Sequence, residues 1–348
     1  MIATKSYAAL DSKTPLAPFQ FDRRDLRPDD VHIEILYCGV CHSDLHQARD
    51  EWGGSIYPMV PGHEIVGKVV RVGANVKKFK AGDLAGVGVM VDSCRTCKNC
   101  KADLEQYCEQ GMTGTYNGLE RDGKTIAQGG YSSQIVTDEK YVLHISEKLD
   151  LKAVAPLLCA GITTYSPLRY AKVGKGTKVG VIGLGGLGHM GLKFAASFGA
   201  EVTLISSSAS KEKDAKRLGA HQFLLSTDEA QMKKFYGYFD VLLNTVSANH
   251  DYGPYLNLLG LNGTMLIVGL PSEAPVVSPF ILLNNRRSIT GSMIGGIKET
   301  QEMLDYCAEK NIVSDVEVIP MQEINNAYER MLKNDVRYRF VIDLKSLE

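Results

Sequence analysis

The sequence predicts an α/β protein: a β-rich first domain that resumes at the C-terminus, and between its two parts a doubly wound parallel sheet. Three observations carry that expectation. Up to about residue 155 the chain consists of short alternating strands separated by glycine-rich and charged turns. Beyond it, continuous apolar strands alternate with helical stretches, the rhythm of a parallel sheet covered on both faces. Within that second stretch Gly183, Gly185 and Gly188 form G-x-G-x-x-G between an apolar strand and a helix. At 348 residues the chain is long for a single core and suits two domains. The expected division is 1–154 with 296–348, and 155–295.

Taken in order, VHIEILYCG places Val31, Ile33, Ile35 and Tyr37 on one strand face, with polar His32 and Glu34 between them. EIVGKVVRVG (64–73) and GGYSSQIVTDEKYVLHI (129–145) add further short strands, in keeping with a small barrel carrying long functional loops. KVGVIG (178–183) reads as a buried parallel strand running into the glycine motif, followed by EVTLIS (201–206), FDVLLN (239–244), TMLIVG (264–269) and RSITGS (287–292). Helical stretches such as KEKDAKRLG lie between them. After residue 295 come two amphipathic helices, KETQEMLDYCAEKN and QEINNAYERMLKN, and a final strand, YRFVIDL. This tail matches neither rhythm and is expected to pack back on the first domain.

Composition narrows the function. Apolar residues make up 44% and charged residues 23%, ordinary for a soluble globular protein. A formal net charge of −1 supplies no field for nucleic acid or an anionic membrane surface. The N-terminal residues lack the continuous apolar segment of an export signal, and no apolar run approaches a bilayer-spanning length. The expectation is a cytoplasmic protein with no nucleic-acid or membrane partner. Its eight cysteines then serve metal more readily than disulfides.

The cysteine spacing is specific. Cys94, Cys97, Cys100 and Cys108 fall in CRTCKNCKADLEQYC, and four soft thiolates from one short loop match the closed tetrahedral shell of a structural zinc ion. The alternative, two disulfides, needs an exported protein. Elsewhere, Cys41 in CGVCHSDLH, His63 and Glu64 in PGHE, and Cys159 in LLCAGITTY are competent ligands for a second metal. Each alone has a duller explanation as a buried cysteine or structural histidine, and Cys38 and Cys307 are read that way.

The glycine motif lets a pyrophosphate approach the backbone and rest on the helix N-terminus. About twenty residues later, where an NAD-binding sheet usually offers an acidic residue to the ribose, stand Ser206, Ser207 and Ser208, followed by Lys211. Hydroxyl donors and a cation suit the 2′-phosphate of NADP(H), which a carboxylate would repel. The competing reading of the serine run is a solvated turn.

With CGVCHSDLH, YPMVPGHE, the four-cysteine loop, LLCAGITTYSPL, GLGGLGHMGLKFA, ISSSASKEKDA and GSMIGGIKET assembled, the chain resembles the zinc-dependent medium-chain alcohol dehydrogenases, and within them the cinnamyl alcohol dehydrogenase branch. The motifs run across nearly its whole length. The resemblance implies a GroES-like catalytic domain, a Rossmann cofactor domain, an active site in the cleft between them, and a homodimer formed through the edges of the cofactor sheets. It implies two zinc ions per chain, the catalytic one on Cys41, His63 and Cys159 with water, substrate or Glu64 in the remaining position. Asp44 would orient His63. Ser43 would take the alcohol proton and pass it, through the cofactor ribose, to His46 near solvent. Glu51 stands where plant members often place an aspartate at the end of this relay. His42 occupies the position from which some NAD-dependent relatives direct an arginine at the pyrophosphate. Thr163, Gly186, Leu187, Val268 and Ile294 would complete the NADP(H) pocket, and Trp52, Tyr116 and Met293, with Ile294 beside it, would line an apolar pocket for a small alcohol or aldehyde.

Zinc polarises a carbonyl or acidifies an alcohol, and hydride passes to or from the nicotinamide. Aldehyde reduction is the expected working direction. Two rivals are an NAD-linked polyol dehydrogenase of the same superfamily, disfavoured by Ser206–Ser208, and a non-catalytic NADPH-binding protein, disfavoured by the presence of Cys41, His63 and Cys159.

Overall fold

The computed structural model describes residues 1–347. The chain forms two compact units, Met1–Cys159 with Gly295–Glu348, and Ala160–Ile294.

The first unit is organised around the strand Asp30–Gly39. Ile65–Val72 pairs with it antiparallel, Gln134–Asp138 pairs along Asp30–Glu34, and Arg339–Asp343 pairs along Tyr37–Gly39. The strand is buried over most of its length on both faces, so the alternation legible in VHIEILYCG only partly separates inside from outside. His32, one of its expected polar positions, is buried with Nε2 2.6 Å from Gln134 Oε1, while Glu34 stays exposed. Apolar side chains from the sheet, among them Val31, Ile33, Val69 and Ile342, form one core with Ile324, Tyr328 and Met331 of the C-terminal helix Ile324–Leu332.

The C-terminal segment supplies helix Ile297–Lys310, strand Val316–Pro320, helix Ile324–Leu332 and strand Arg339–Asp343. The two strands are parallel, and the last inserts beside Asp30–Gly39, making the closing segment integral to the sheet. Val316–Pro320, and the hairpin of Ile2–Ala8 with Ala17–Arg23, add to the strands expected from the sequence.

The second unit is a six-stranded parallel sheet in the order Gln222–Leu225, Glu201–Ser206, Lys178–Ile182, Phe239–Asn244, Leu259–Ile267, Ser288–Gly291. That is the doubly wound 3-2-1-4-5-6 arrangement, which reverses direction between Lys178–Ile182 and Phe239–Asn244. Ligands of such sheets bind outside the carboxyl ends of the strands at this reversal. The helix Gly188–Ser197 follows the first strand there. The expected strand at 264–269 instead starts at Leu259, with a register irregularity between Phe239 and Val241 of its neighbour. Among the described residues no helix is long and apolar enough to cross a membrane.

Candidate active site

In the first unit Cys41, His63, Glu64 and Cys159 converge, one donor atom from each lying within 4.8 Å of the others. Cys41 caps the short helix His42–Ala48, His63 and Glu64 immediately precede strand Ile65–Val72, and Cys159 follows the 3-10 turn Ala155–Leu158. The Cys41 and Cys159 sulfurs are 3.9 Å apart. All four residues are buried. His63 Nδ1 faces Asp44 Oδ1 at 3.3 Å, while its Nε2 is buried without a hydrogen-bond partner. Glu64 Oε2 is likewise buried and unpartnered. Buried polar atoms are normally satisfied, so two orphaned lone pairs beside two thiols mark a place for a cation. The donor set S, N, S with a carboxylate fits zinc, and the Asp44 partner fixes the His63 tautomer that leaves Nε2 free.

The electrostatics agree. Sharing a hydrogen bond with Cys159 draws the Cys41 thiol well below its ordinary range. Burial pushes Glu64 up to about 7, against the pull of the Arg339 guanidinium. That ion pair between Arg339 Nη2 and Glu64 Oε1 is fully desolvated: Arg339 is 5% exposed and Glu64 0%. Gly39 makes room for it, because a side chain there would collide with the Glu64 carboxylate. Arg339 was absent from the sequence-derived site. An arginine immediately before the run FVIDL, in the strand expected to close the sheet, was the available signal.

Around this cluster, Ser43 Oγ lies 3.6 Å from Cys41 Sγ. His46 Nδ1 meets Glu51 Oε2 at 2.5 Å, which gives Glu51 a defined partner. Trp52 is half exposed and packs over the His46 ring at 5.1 Å, while Tyr116 is buried and stacked on His63 at 5.8 Å. His42 is exposed at the start of its helix.

The four-cysteine loop brings Cys94, Cys97, Cys100 and Cys108 to within the same 4.8 Å limit. The backbone supplies donors to the sulfurs: Cys97 N–H to Cys94, Cys100 N–H to Cys97, and Cys94 N–H to Cys108, at 3.3, 3.4 and 3.3 Å. Backbone hydrogen bonds, from Thr96 first, hold Cys94 down at about 6, within reach of the thiolate at neutral pH. A loop built to stabilise thiolates, with no disulfide formed, fits a closed zinc site.

In the second unit the glycine motif leaves strand Lys178–Ile182 with Gly183 at φ +90°. A Cβ at Gly188 would strike the Gly183 carbonyl, whereas one at Gly185 would meet nothing within 4 Å. The first two features shape the turn, and the third leaves open backbone for a phosphate. Lys211 Nζ reaches Leu184 O at 2.9 Å, so the cation expected near a 2′-phosphate sits at the lip of this turn. Ser206 is buried and accepts from Ser208 N–H at 3.3 Å, Ser208 Oγ meets Ser210 Oγ at 2.9 Å, and Ser207 is exposed. The outward hydroxyl is therefore that of Ser207. Gly186 and Leu187 continue the turn into the helix, Thr163 is buried in helix Ala160–Tyr170, and Val268 N–H donates to Asn244 O at 3.1 Å. Met293 is 44% exposed, and Ile294 is buried in the left-handed region at φ +40°, strained for a β-branched residue.

Residues 27–147 match the alcohol dehydrogenase GroES-like domain, and residues 186–309 match the zinc-binding dehydrogenase domain. The chain is 55% identical to NADP-dependent alcohol dehydrogenase C 1 of Mycolicibacterium smegmatis, over 100% of this chain and 99% of that protein. It is 55% identical to aldehyde reductase YahK of Escherichia coli over 99% of each. Its fold superposes on the crystal structure of a CAD from Helicobacter pylori complexed with NADP(H), with a TM-score of 0.93 and 44% identity over 99% of each chain.

Proposed function

The chain belongs to the zinc-binding medium-chain alcohol dehydrogenases, and from that premise we propose that it reduces aromatic and other apolar aldehydes to primary alcohols, reversibly, with NADPH. The observation that carries the reading is the buried convergence of Cys41, His63, Glu64 and Cys159, with His63 Nε2 left unpartnered. When bound, zinc supplies Lewis acidity at the substrate oxygen and the nicotinamide supplies or accepts hydride.

The chain's own residues do the rest. Cys41, His63 and Cys159 hold the metal, and Glu64, paired with Arg339, stays beside it as an alternative ligand. Asp44 keeps the His63 proton on Nδ1. Ser43, beside the Cys41 sulfur, is the hydroxyl that exchanges a proton with the substrate oxygen. His46, hydrogen-bonded to Glu51, holds the proton at the solvent side. Tyr116 and Trp52 offer aromatic surface to an apolar substrate, and Met293 and Ile294 are further candidates for substrate contact. Ser207, with Ser206 and Ser208 forming its turn and Lys211 at the lip of the glycine turn, selects the 2′-phosphate. Thr163, Gly186, Leu187 and Val268 complete the cofactor site of the second unit, and His42 is a further candidate for cofactor contact. The four-cysteine loop holds the second zinc as a structural element. The protein works in the cytoplasm as a homodimer joined through the edges of its parallel sheets.

The test is a comparison of kcat/KM for cinnamaldehyde and benzaldehyde with NADPH and NADH, and for the alcohols with NADP+ at pH 7. The reading expects NADPH-driven reduction to be fastest. Preference for NADH, or faster oxidation at physiological cofactor ratios, would overturn the cofactor or the direction respectively.

A further inference from the structure

Asp44 is 0% exposed, and its buried carboxylate is held by four donors. Oδ2 accepts from Cys41 N–H at 2.8 Å and from the Tyr131 hydroxyl at 3.1 Å. Oδ1 accepts from Gly62 N–H at 3.1 Å and faces His63 Nδ1 at 3.3 Å. Three of these donors belong to the metal-binding segments themselves. Tyr131 does not; it comes from a loop 87 residues away in sequence.

That loop is fixed on both sides. Its backbone runs against the segment before His63, with Gly129 N–H on Val60 O, Gly130 N–H on Gly62 O and Tyr131 N–H on Pro61 O, at 2.7, 2.8 and 2.9 Å. On the other side the Arg23 guanidinium donates to Gln128 O and Gly129 O at 3.0 Å each and to Ser132 Oγ at 2.9 Å. Gly62, at φ +103°, leaves room for the ring, since a Cβ there would come within 2.7 Å of Tyr131 Cδ1. A buried ring needs no hydroxyl to fill space. A hydroxyl aimed at a buried carboxylate needs the carboxylate held still.

From this geometry we propose that Tyr131 is a positioning residue for the catalytic metal, acting through Asp44 to set the orientation and basicity of His63. It never touches substrate, cofactor or metal. Removing its hydroxyl takes from Asp44 Oδ2 the donor supplied from outside the metal-binding segments, loosening the partner that fixes the His63 tautomer. Loss of such outer hydrogen bonds costs roughly 10–100-fold in metal affinity, and the lower end suits a group one residue further out.

Tyr141 supplies a matched control. Its hydroxyl donates to Ser93 Oγ at 2.7 Å, and Ser93 Oγ lies 3.2 Å from Cys100 Sγ, so it reaches the four-cysteine site instead.

The inference rests on the reading of Cys41, His63 and Cys159 as a zinc site. Its test is the release of zinc from full-length, zinc-loaded protein to a chromophoric chelator, followed beside residual activity. Wild type should release two zinc ions in two phases, one of which tracks loss of activity. Tyr131→Phe should speed that phase about tenfold and leave the other within twofold. Tyr141→Phe should leave the activity-linked phase within twofold. Unchanged release in Tyr131→Phe, or equal acceleration of both phases, would overturn the inference alone and mark Tyr131 as packing. A wild-type chain releasing only one zinc would overturn the underlying reading and the inference with it.

Discussion

Replacing Arg339 by methionine tests the buried charge pair on which the metal cluster is built. Arg339 and Glu64 are 5% and 0% exposed, so neither charge has water to fall back on. Arg339→Met removes the cation, keeps most of the side-chain volume, and leaves Glu64 as an uncompensated buried anion. Breaking a buried pair in this way costs about 3–5 kcal/mol. Glu64→Gln alone strands the guanidinium and should cost a similar amount. The double variant restores neutrality and should return to within about 1 kcal/mol of wild type, a coupling of about 5 kcal/mol or more.

The assay is urea unfolding of all four proteins, with the Cys41 site stripped of metal and the four-cysteine zinc retained. Because the folded-state pKa of Glu64 is raised above its unfolded value to about 7, stability linked to this group is present at low pH and lost as pH rises through 7. In Arg339→Met the carboxyl can escape its charge by keeping a proton, so the deficit should be larger at pH 8 than at pH 6. A single-variant loss below about 1 kcal/mol, or a double variant no better than the sum of the singles, would show that Arg339 and Glu64 are not a coupled buried pair.

Three further outcomes are expected. Cys94→Ser should lower zinc content by about one ion per chain and reduce the thermal unfolding midpoint, because it opens a closed four-thiolate site; elemental analysis and calorimetry check it. Ser207→Asp with Ser208→Ala should raise the KM for NADPH on the order of 10–100-fold and change that for NADH far less, through repulsion of the 2′-phosphate, and paired steady-state titrations read the ratio. Ser43→Ala should lower kcat by roughly 10²–10⁴-fold with little change in aldehyde KM, the signature of lost proton transfer, measured by NADPH oxidation at saturating substrate.

What could be read from the sequence was what the chain keeps local. The four cysteines span one loop, and the glycine motif has its strand and helix immediately on either side, so spacing alone indicates their chemistry. The parallel sheet announces itself through continuous apolar runs such as KVGVIG. Pairings across long separations were not legible. Arg339 meets Glu64 across 275 positions, and Tyr131 meets Asp44 across 87, with nothing in either local pattern to pair them. His32 looked like a solvent-facing position because it alternates with apolar residues, but it is buried against Gln134 while Glu34 on the same face is exposed. Val316–Pro320 is short and mostly half exposed or exposed, and it becomes a strand by pairing with Arg339–Asp343. The serine run was read as a phosphate site, but the burial of Ser206 within its own turn was not legible.

The central claim is that Cys41, His63 and Cys159 hold a zinc ion on which NADPH-dependent aldehyde reduction depends. The most direct measurement is zinc per chain, by elemental analysis, on wild type and Cys159→Ser, with NADPH oxidation by cinnamaldehyde followed on the same samples. Wild type should carry two zinc ions and turn over, and the variant should carry one zinc ion without turnover. Equal zinc content in the two proteins, or turnover surviving in Cys159→Ser, would contradict it.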